Sequence, residues 1–207
     1  MQWSGLNNKK VLNFVMKTIN NVTVEEIFGL LCNYAAIALF QGEAEAGPRA
    51  LGNRSIIFDP RVPSGQTYIN KLKKRESWRP FAGTILKEQA NQWFDMQGIE
   101  DSPWMSYAVQ LRDESNADRI PAIMHQDNTC RIQTLEREQN PVFYDLIHHY
   151  WKNSDDQTIP ILGNTSFNLA GEPLVHTIDD AIQTLEDSEL EYLWLPEKEE
   201  LIIISNK

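Results

Sequence analysis

The hydrophobic and polar positions along the chain shift between helical and extended periods in no fixed order. KKVLNFVMKTI, flanked by Asn-Asn pairs at 7–8 and 20–21, predicts a short helix between turns. Thr23-Val-Glu-Glu26 has the form of a capping box, in which hydroxyl and carboxylate each satisfy a free backbone N–H. It opens the apolar run IFGLLCNYAAIALF, which predicts a helix passing near Asn33 into a buried strand, AIALF, that ends at Gln41-Gly42. Further on, FAGTILKE reads as a strand and EQANQWFDM as a short amphipathic helix. Ser102-Pro-Trp-Met105 reads as a turn, SYAVQL as a half-buried strand, and DESNADRI, which has no apolar period, as loop. After Pro121, alternation in AIMHQDNTCRIQTLE marks a strand that turns Arg131 and Gln133 to one side. Asn140-Pro141 supplies the N-cap and first turn of a helix, PVFYDLIHHYWKN. Thr158 to Leu162 is a short apolar strand running into a polar segment from Gly163 to Asn168, and Gly171 to Val175 follows as a loop with a short strand. Thr177 caps the helix IDDAIQTLED, and YLWL and LIIIS close the chain as strands. An order neither strictly alternating nor purely β predicts the α+β class, a twisted mixed β-sheet with helices packed on its faces. One seam is expected near residue 40.

Composition narrows the class without naming a function. A chain of 207 residues can form one well-cored domain, or a domain with an appendage. Its 42% hydrophobic and 23% charged residues are those of a soluble globular protein. There is no run of about 18 apolar residues, so no membrane span is expected. The first 21 residues hold no apolar core of signal-peptide length. Cys32 and Cys130 lie far apart and form no CxxC pair, which fits reduced thiols in a cytoplasmic protein. A net charge of -10 makes nucleic acid an unlikely partner, since broad affinity needs a wide cationic footprint, but it leaves room for a small phosphorylated ligand.

Charge is distributed unevenly. Between Gly47 and Phe81, Arg49, Arg54, Arg61, Lys71, Lys73, Lys74, Arg75 and Arg79 stand against only Asp59 and Glu76. Such a concentration in an acidic protein reads as a local anion site or as a solvated basic face, and charge alone does not separate the two. Asn164-Thr165-Ser166-Phe167-Asn168 offers short amide and hydroxyl groups suited to phosphate or ribose oxygens, or to a turn that satisfies its own backbone. Arg131, in mid-strand, must face water or meet an anion. Glu43, Glu45 and Glu172 are candidate partners for these arginines or for Mg²⁺. The four histidines form neither HxxxH nor HxxH, and adjacent His148 and His149 point roughly 100° apart on a helix, so no metal site of the chain's own is expected. GxSxG, Walker A and GxGxxG are absent.

Five ordered blocks then bear on identity: GPRALGNRSIIFDPR; KRESWRPFAGTIL behind Asn70 and Lys71; SPWM; TCRIQTL with the later Asn-Pro; and NTSFN with GEPLV. Spanning roughly Phe40 to Val175, they closely resemble the C-terminal half of the O-carbamoyltransferase family that acts on antibiotics and nodulation factors. The resemblance implies a YrdC-like domain over 41–207, with 1–40 as an extension that is the remnant of, or docks, an actin-like half. It implies that carbamoyl phosphate and ATP, with Mg²⁺, are converted to carbamoyladenylate, and that the actin-like half passes the carbamoyl group to an acceptor hydroxyl. By the same resemblance Lys73, Arg79 and Arg49 are catalytic cations on the phosphates and carbamoyl group. Arg131, Asn164 and Ser166 hold the nucleotide, while Arg61, Lys71 and Lys74 are solvated neighbours. The actin-like half and its histidines have no counterpart in these residues, so a separate subunit supplies it, the sequence is part of a longer one, or the domain works alone. A non-catalytic module that binds nucleotide or a partner, and a homo-oligomer formed through an exposed edge, are the alternatives.

Overall fold

The computed structural model describes residues 14–154 and 159–206. The turn at residues 7–8, the first five residues of the helix expected over 9–19, and Thr158 lie outside these residues. Within them the chain forms strands β1 (Phe14–Asn20), β2 (Ile37–Phe40), β3 (Arg54–Phe58), β4 (Ala82–Leu86), β5 (Phe94–Asp95), β6 (Tyr107–Leu111), β7 (Thr129–Leu135), β8 (Ile161–Ser166), β9 (Tyr192–Leu195) and β10 (Glu200–Asn206). The helices are α1 (Val24–Cys32), α2 (Gly65–Leu72), α3 (Lys87–Trp93), α4 (Pro141–Asn153) and α5 (Ile178–Glu186).

All ten strands belong to one sheet, in the order β1-β10-β9-β2-β3-β8-β4-β7-β6-β5. The pairs β2–β9 and β4–β7 are parallel, and the others are antiparallel. This is the mixed α+β sheet that the sequence predicts. The capping box at Thr23, the Thr177 cap and the Asn140 N-cap form as expected, Thr177 in addition as a capping box with Asp180, and Asn140 Oδ1 accepts from Phe143 N–H at 3.0 Å. Packing of α1 against α4 buries Ile27, Leu31, Phe143 and Ile147, and α4 in turn covers β4 and β8. The core runs along the whole sheet. The seam expected near residue 40 falls at the end of β2, which is hydrogen-bonded to β3 on one side and β9 on the other.

Several segments differ from expectation, among them Phe94–Asp95, expected within a helix and found as strand β5, and Gly171 to Val175, where the expected short strand does not form. Phe14–Asn20 is an edge strand, not helix, because pairing along its full length with β10 outweighs a weak local period. Strand β8 continues through the polar segment after Leu162 as far as Ser166, and Glu114–Arg119, expected as loop, is a 3₁₀ turn. Arg61 is also no solvated neighbour. Its guanidinium lies 2.6 Å from the buried Asp59 carboxylate and 5.2 Å from the centre of the Tyr150 ring, tying the end of β3 to α4. Arg61→Met should therefore strand a buried carboxylate and lower stability by about 3 kcal/mol. Lys71→Met breaks only an exposed pair with Glu189 and should cost under about 0.5 kcal/mol. Urea unfolding of the two variants measures the difference.

Candidate functional site

One face of the sheet centre carries the polar residues. Ala82 on β4 is paired with Arg131 on β7 and with Asn164 on β8. Directly paired residues point the same way, so Arg131 and Asn164 rise from one face with only a methyl group between them. The period of two adds Thr84, Gln133 and Ser166 to that face.

These amides and hydroxyls form a buried network whose orientation is fixed by backbone. Gln133 Nε2 donates to the Leu51 carbonyl at 3.0 Å, which leaves Gln133 Oε1 to accept from Thr84 Oγ1 at 2.8 Å. Asn164 Nδ2 faces three acceptors: the Ala50 carbonyl (3.2 Å), Thr84 Oγ1 (2.9 Å) and Gln133 Oε1 (3.2 Å). The network thus straps residues 50–51 across the sheet. Glu45 ties the same loop from the other side, its Oε1 accepting from the N–H groups of Leu51 (2.6 Å) and Asn53 (2.8 Å). Gly52, at φ +113°, permits the turn, and a Cβ there would lie 2.6 Å from the Phe143 ring. Arg49 is thereby held beside the face that carries Arg131.

A second loop comes from the end of α2. Lys74 takes the left-handed conformation (φ +53°), Lys74 N–H donates to Lys71 O and Arg75 N–H to Asn70 O, each at 3.0 Å. This is a Schellman turn with lysine in the place usual for glycine. It sends the two neighbours in different directions. Lys73 goes inward, 2% exposed, where its ammonium donates to the Ser166 carbonyl and lies 2.9 Å from Asn168 O and 3.0 Å from Asn168 Oδ1. Arg75 goes toward the sheet face, its guanidinium 4.5 Å from the centre of the Phe81 ring and its Nε bonded to Asn70 Oδ1 at 2.5 Å.

Between these loops and the sheet lies a cavity of about 120 Å³. Arg49, Arg75 and Arg131 line it with Asn164, Ser166 and His125, and no carboxylate does. Among the described residues Arg49 and Arg131 make no side-chain hydrogen bond or ion pair, and Arg131 Nε is buried without an acceptor. Burial, and then the charge of Arg131, lower the Arg49 pKa from its ordinary value. Burial, and then Arg79, lower Arg75 to about 10, which leaves it cationic at neutral pH. Like charges are thus held together and partly dehydrated with no carboxylate among the lining residues, a state that an anion relieves. His125 Nε2 is 3.1 Å from the Phe81 carbonyl, so that nitrogen carries a proton. Pro80 and His125 also border a second, larger cavity of about 580 Å³, which includes the exposed Trp78 ring.

Of the six residues named from sequence, Arg49, Arg131, Asn164 and Ser166 meet at the cavity. Lys73 lies behind it, bonded to the Ser166–Asn168 segment, with burial and then Arg75 lowering its ammonium to about 7. Arg79 is half-exposed, paired with Glu76 at 2.7 Å, and is not among the lining residues. The sequence does not single out Arg75 or His125: Arg75 is one of eight cations in the basic stretch, nothing local marks Lys74 as left-handed, and His125 carries no motif. Arg54 is structural, stacked 3.5 Å from the Phe40 ring centre and donating to the carbonyls of Gln41, Gly42 and Asn53. Glu45 serves the loop, and the backbone carbonyls of Glu43 and Glu172 accept from Asn53 and Asn168. Among the described residues no three His, Cys, Asp or Glu side chains are grouped to hold a metal ion, and no helix is long and apolar enough to cross a membrane.

Comparison with known proteins agrees with the resemblance in sequence. Residues 29–200 match the family model described as carbamoyltransferase C-terminus. The chain is 43% identical over 165 residues to nodulation protein NolO of Bradyrhizobium diazoefficiens, a match covering 79% of this chain and 29% of the relative. It is 41% identical over 161 residues to nodulation protein NolNO of Sinorhizobium fredii, covering 77% and 23%. To 3'-hydroxymethylcephem-O-carbamoyltransferase of Amycolatopsis lactamdurans it is 31% identical over 158 residues, covering 76% and 29%. The chain therefore spans less than a third of the length of these relatives. The matched region contains the whole cavity, and the chain belongs to the carbamoyltransferase family as its C-terminal domain.

Proposed function

We propose that this domain forms carbamoyladenylate from carbamoyl phosphate and ATP, the activation half of an O-carbamoyl transfer. The observation that carries this reading is three guanidiniums around one cavity with no carboxylate among the lining residues. At about 120 Å³ the cavity suits a phosphate-sized head rather than a whole nucleotide. The larger cavity that shares Pro80 and His125 gives the nucleotide room, with the Trp78 ring available to a base. Arg79 adjoins Pro80, and its exposed pair with Glu76 is weak enough to be exchanged for a polyphosphate.

The chemistry balances without a protein nucleophile. Water cleaves the O–P bond of carbamoyl phosphate, releasing orthophosphate and leaving carbamate. A carbamate oxygen then attacks the α-phosphorus of ATP, and the bond to pyrophosphate breaks. Both steps move negative charge across oxygens that Arg49, Arg75 and Arg131 are placed to neutralise. With no carboxylate cage among the described residues, Mg²⁺ would arrive on the polyphosphate and neutralise the departing pyrophosphate. Transfer to the acceptor hydroxyl is assigned to the part of the relatives' length that this chain does not span, on the same chain or on an actin-like subunit.

Release of pyrophosphate and orthophosphate, followed together, tests the reading. Both should appear in equal amounts with carbamoyl phosphate and ATP. Threonine with bicarbonate in place of carbamoyl phosphate should give neither. Nucleotide binding by calorimetry without pyrophosphate release, alone or with an actin-like partner, would assign a binding module instead. The exposed Val15 and Met16 on edge strand β1 would then be the first place to seek a partner or a second copy.

A further inference from the structure

The turn that carries Met105 into the wall of the anion cavity sets its neighbour Trp104 outward, over a different pocket. The turn is pinned from beneath. Ser102 is buried, its N–H donating to Thr134 Oγ1 at 2.7 Å and its Oγ to the Ile132 carbonyl at 2.8 Å. Met105 takes the left-handed conformation (φ +56°), which a side chain of this size adopts only where the surroundings impose it. The indole of Trp104 is thus 69% exposed on a fixed backbone, with no hydrogen bond or ring contact among the described residues. It borders a pocket of about 330 Å³ on the far side of the residue 50–51 strap. Ala50 and Met105 line the anion cavity, and Leu51 and Trp104 line this one.

The two pockets differ in chemistry. Leu51, Pro103 and Leu135 join the indole as the apolar part of the second, and no lysine, arginine or histidine lines it, so it offers nothing to a phosphate. Its one charged residue, Glu45, already accepts from the N–H groups of Leu51 and Asn53, so the pocket does not need a cation either. Amides supply the remaining polar groups. Gln139 Oε1 accepts from Glu136 N–H at 3.0 Å, which leaves Nε2 to donate. Asn53 Oδ1 accepts from Asn140 Nδ2 at 3.2 Å and keeps a second lone pair. An apolar platform edged by donors and acceptors suits a saturated ring that is apolar on its face and hydroxylated around its circumference, since each hydroxyl can both donate and accept. We infer that this pocket binds an uncharged polyhydroxylated ring, a sugar unit or cyclic polyol, with a C–H face on Trp104 and hydroxyls on Gln139 and Asn53. The site is separate from the anion cavity, and the inference does not rest on the proposed function.

NMR titration of the chain with cellobiose, maltose and adenosine tests this. At least one disaccharide should bind with a Kd of about 1 mM, and the protons on one face of a sugar ring should shift upfield beneath the indole. Trp104→Ala should weaken that binding by about tenfold. Trp104→Phe, which keeps a ring, should retain most of it. Tyr34→Ala, which removes an exposed ring outside the pocket, should change nothing. Trp104 lies on the surface, so these replacements leave the core intact. No saturable binding of either disaccharide, or binding that Trp104→Ala leaves unchanged, would overturn the inference. Adenosine held through Trp104 while both sugars fail would overturn it too, by assigning the pocket to a flat heteroaromatic ring. Each result is independent of whether the chain releases pyrophosphate, so this inference and the proposed function fail separately.

Discussion

Arg131→Met should weaken binding of carbamoyl phosphate about a hundredfold and leave the protein as stable as before, or slightly more stable. In most buried ion pairs the two effects go together, because the lost group had a protein partner. Arg131 has none among the described residues. Its Nε is an unfilled donor and its charge is felt by Arg49 as a repulsion. Removing it therefore relieves like-charge strain in the empty protein and removes a charge-assisted hydrogen bond only from the occupied one. Calorimetry for the anion and urea unfolding for the fold measure both halves. A loss of stability above about 1 kcal/mol would mean that Arg131 has a structural partner and is not waiting for a ligand.

Lys73→Met should do the reverse, lowering stability by about 3 kcal/mol. Its ammonium is surrounded by Ser166 and Asn168 oxygens, and methionine would leave several of these without a donor. The cost should depend on pH. Burial, with Arg75, lowers Lys73 to about 7, below its unfolded value. Between about pH 7 and 10 the unfolded chain then holds a proton that the folded chain does not, so stability rises with pH. The difference between the unaltered chain and Lys73→Met should accordingly be smallest below pH 7 and grow by up to about 1.4 kcal/mol per pH unit above it. Denaturant titrations at pH 6 and pH 9 give the comparison. A difference that shrinks as pH rises would place the ammonium on the wrong side of the linkage.

These contrasting expectations for two residues of one basic stretch show what the sequence can and cannot carry. Caps and periods are local, and Thr23, Asn140 and Thr177 begin helices where their neighbours say they should. Edge strand β1 is not local. Its pairing with β10, almost two hundred residues away, decides its conformation over its own ambiguous period. The site shows the same division. Arg131 and Asn164 are marked as polar side chains in mid-strand, and both line the cavity. Arg75 enters and Lys73 retreats because Lys74 adopts a left-handed turn that no glycine announces. Arg54 and Arg61, identical in type to Arg49, are absorbed by backbone carbonyls and by Asp59. Composition gives the stretch its charge. Only the fold decides which charges lack a counterion.

The claim that these unpaired guanidiniums serve adenylate formation is tested most directly by ³¹P NMR of the chain with carbamoyl phosphate, ATP and Mg²⁺. The account predicts the α-phosphorus signal of ATP giving way to that of a carbamoyl mixed anhydride of AMP, with pyrophosphate and orthophosphate rising together. Formation of ADP in place of pyrophosphate would show attack at the γ-phosphorus and contradict it.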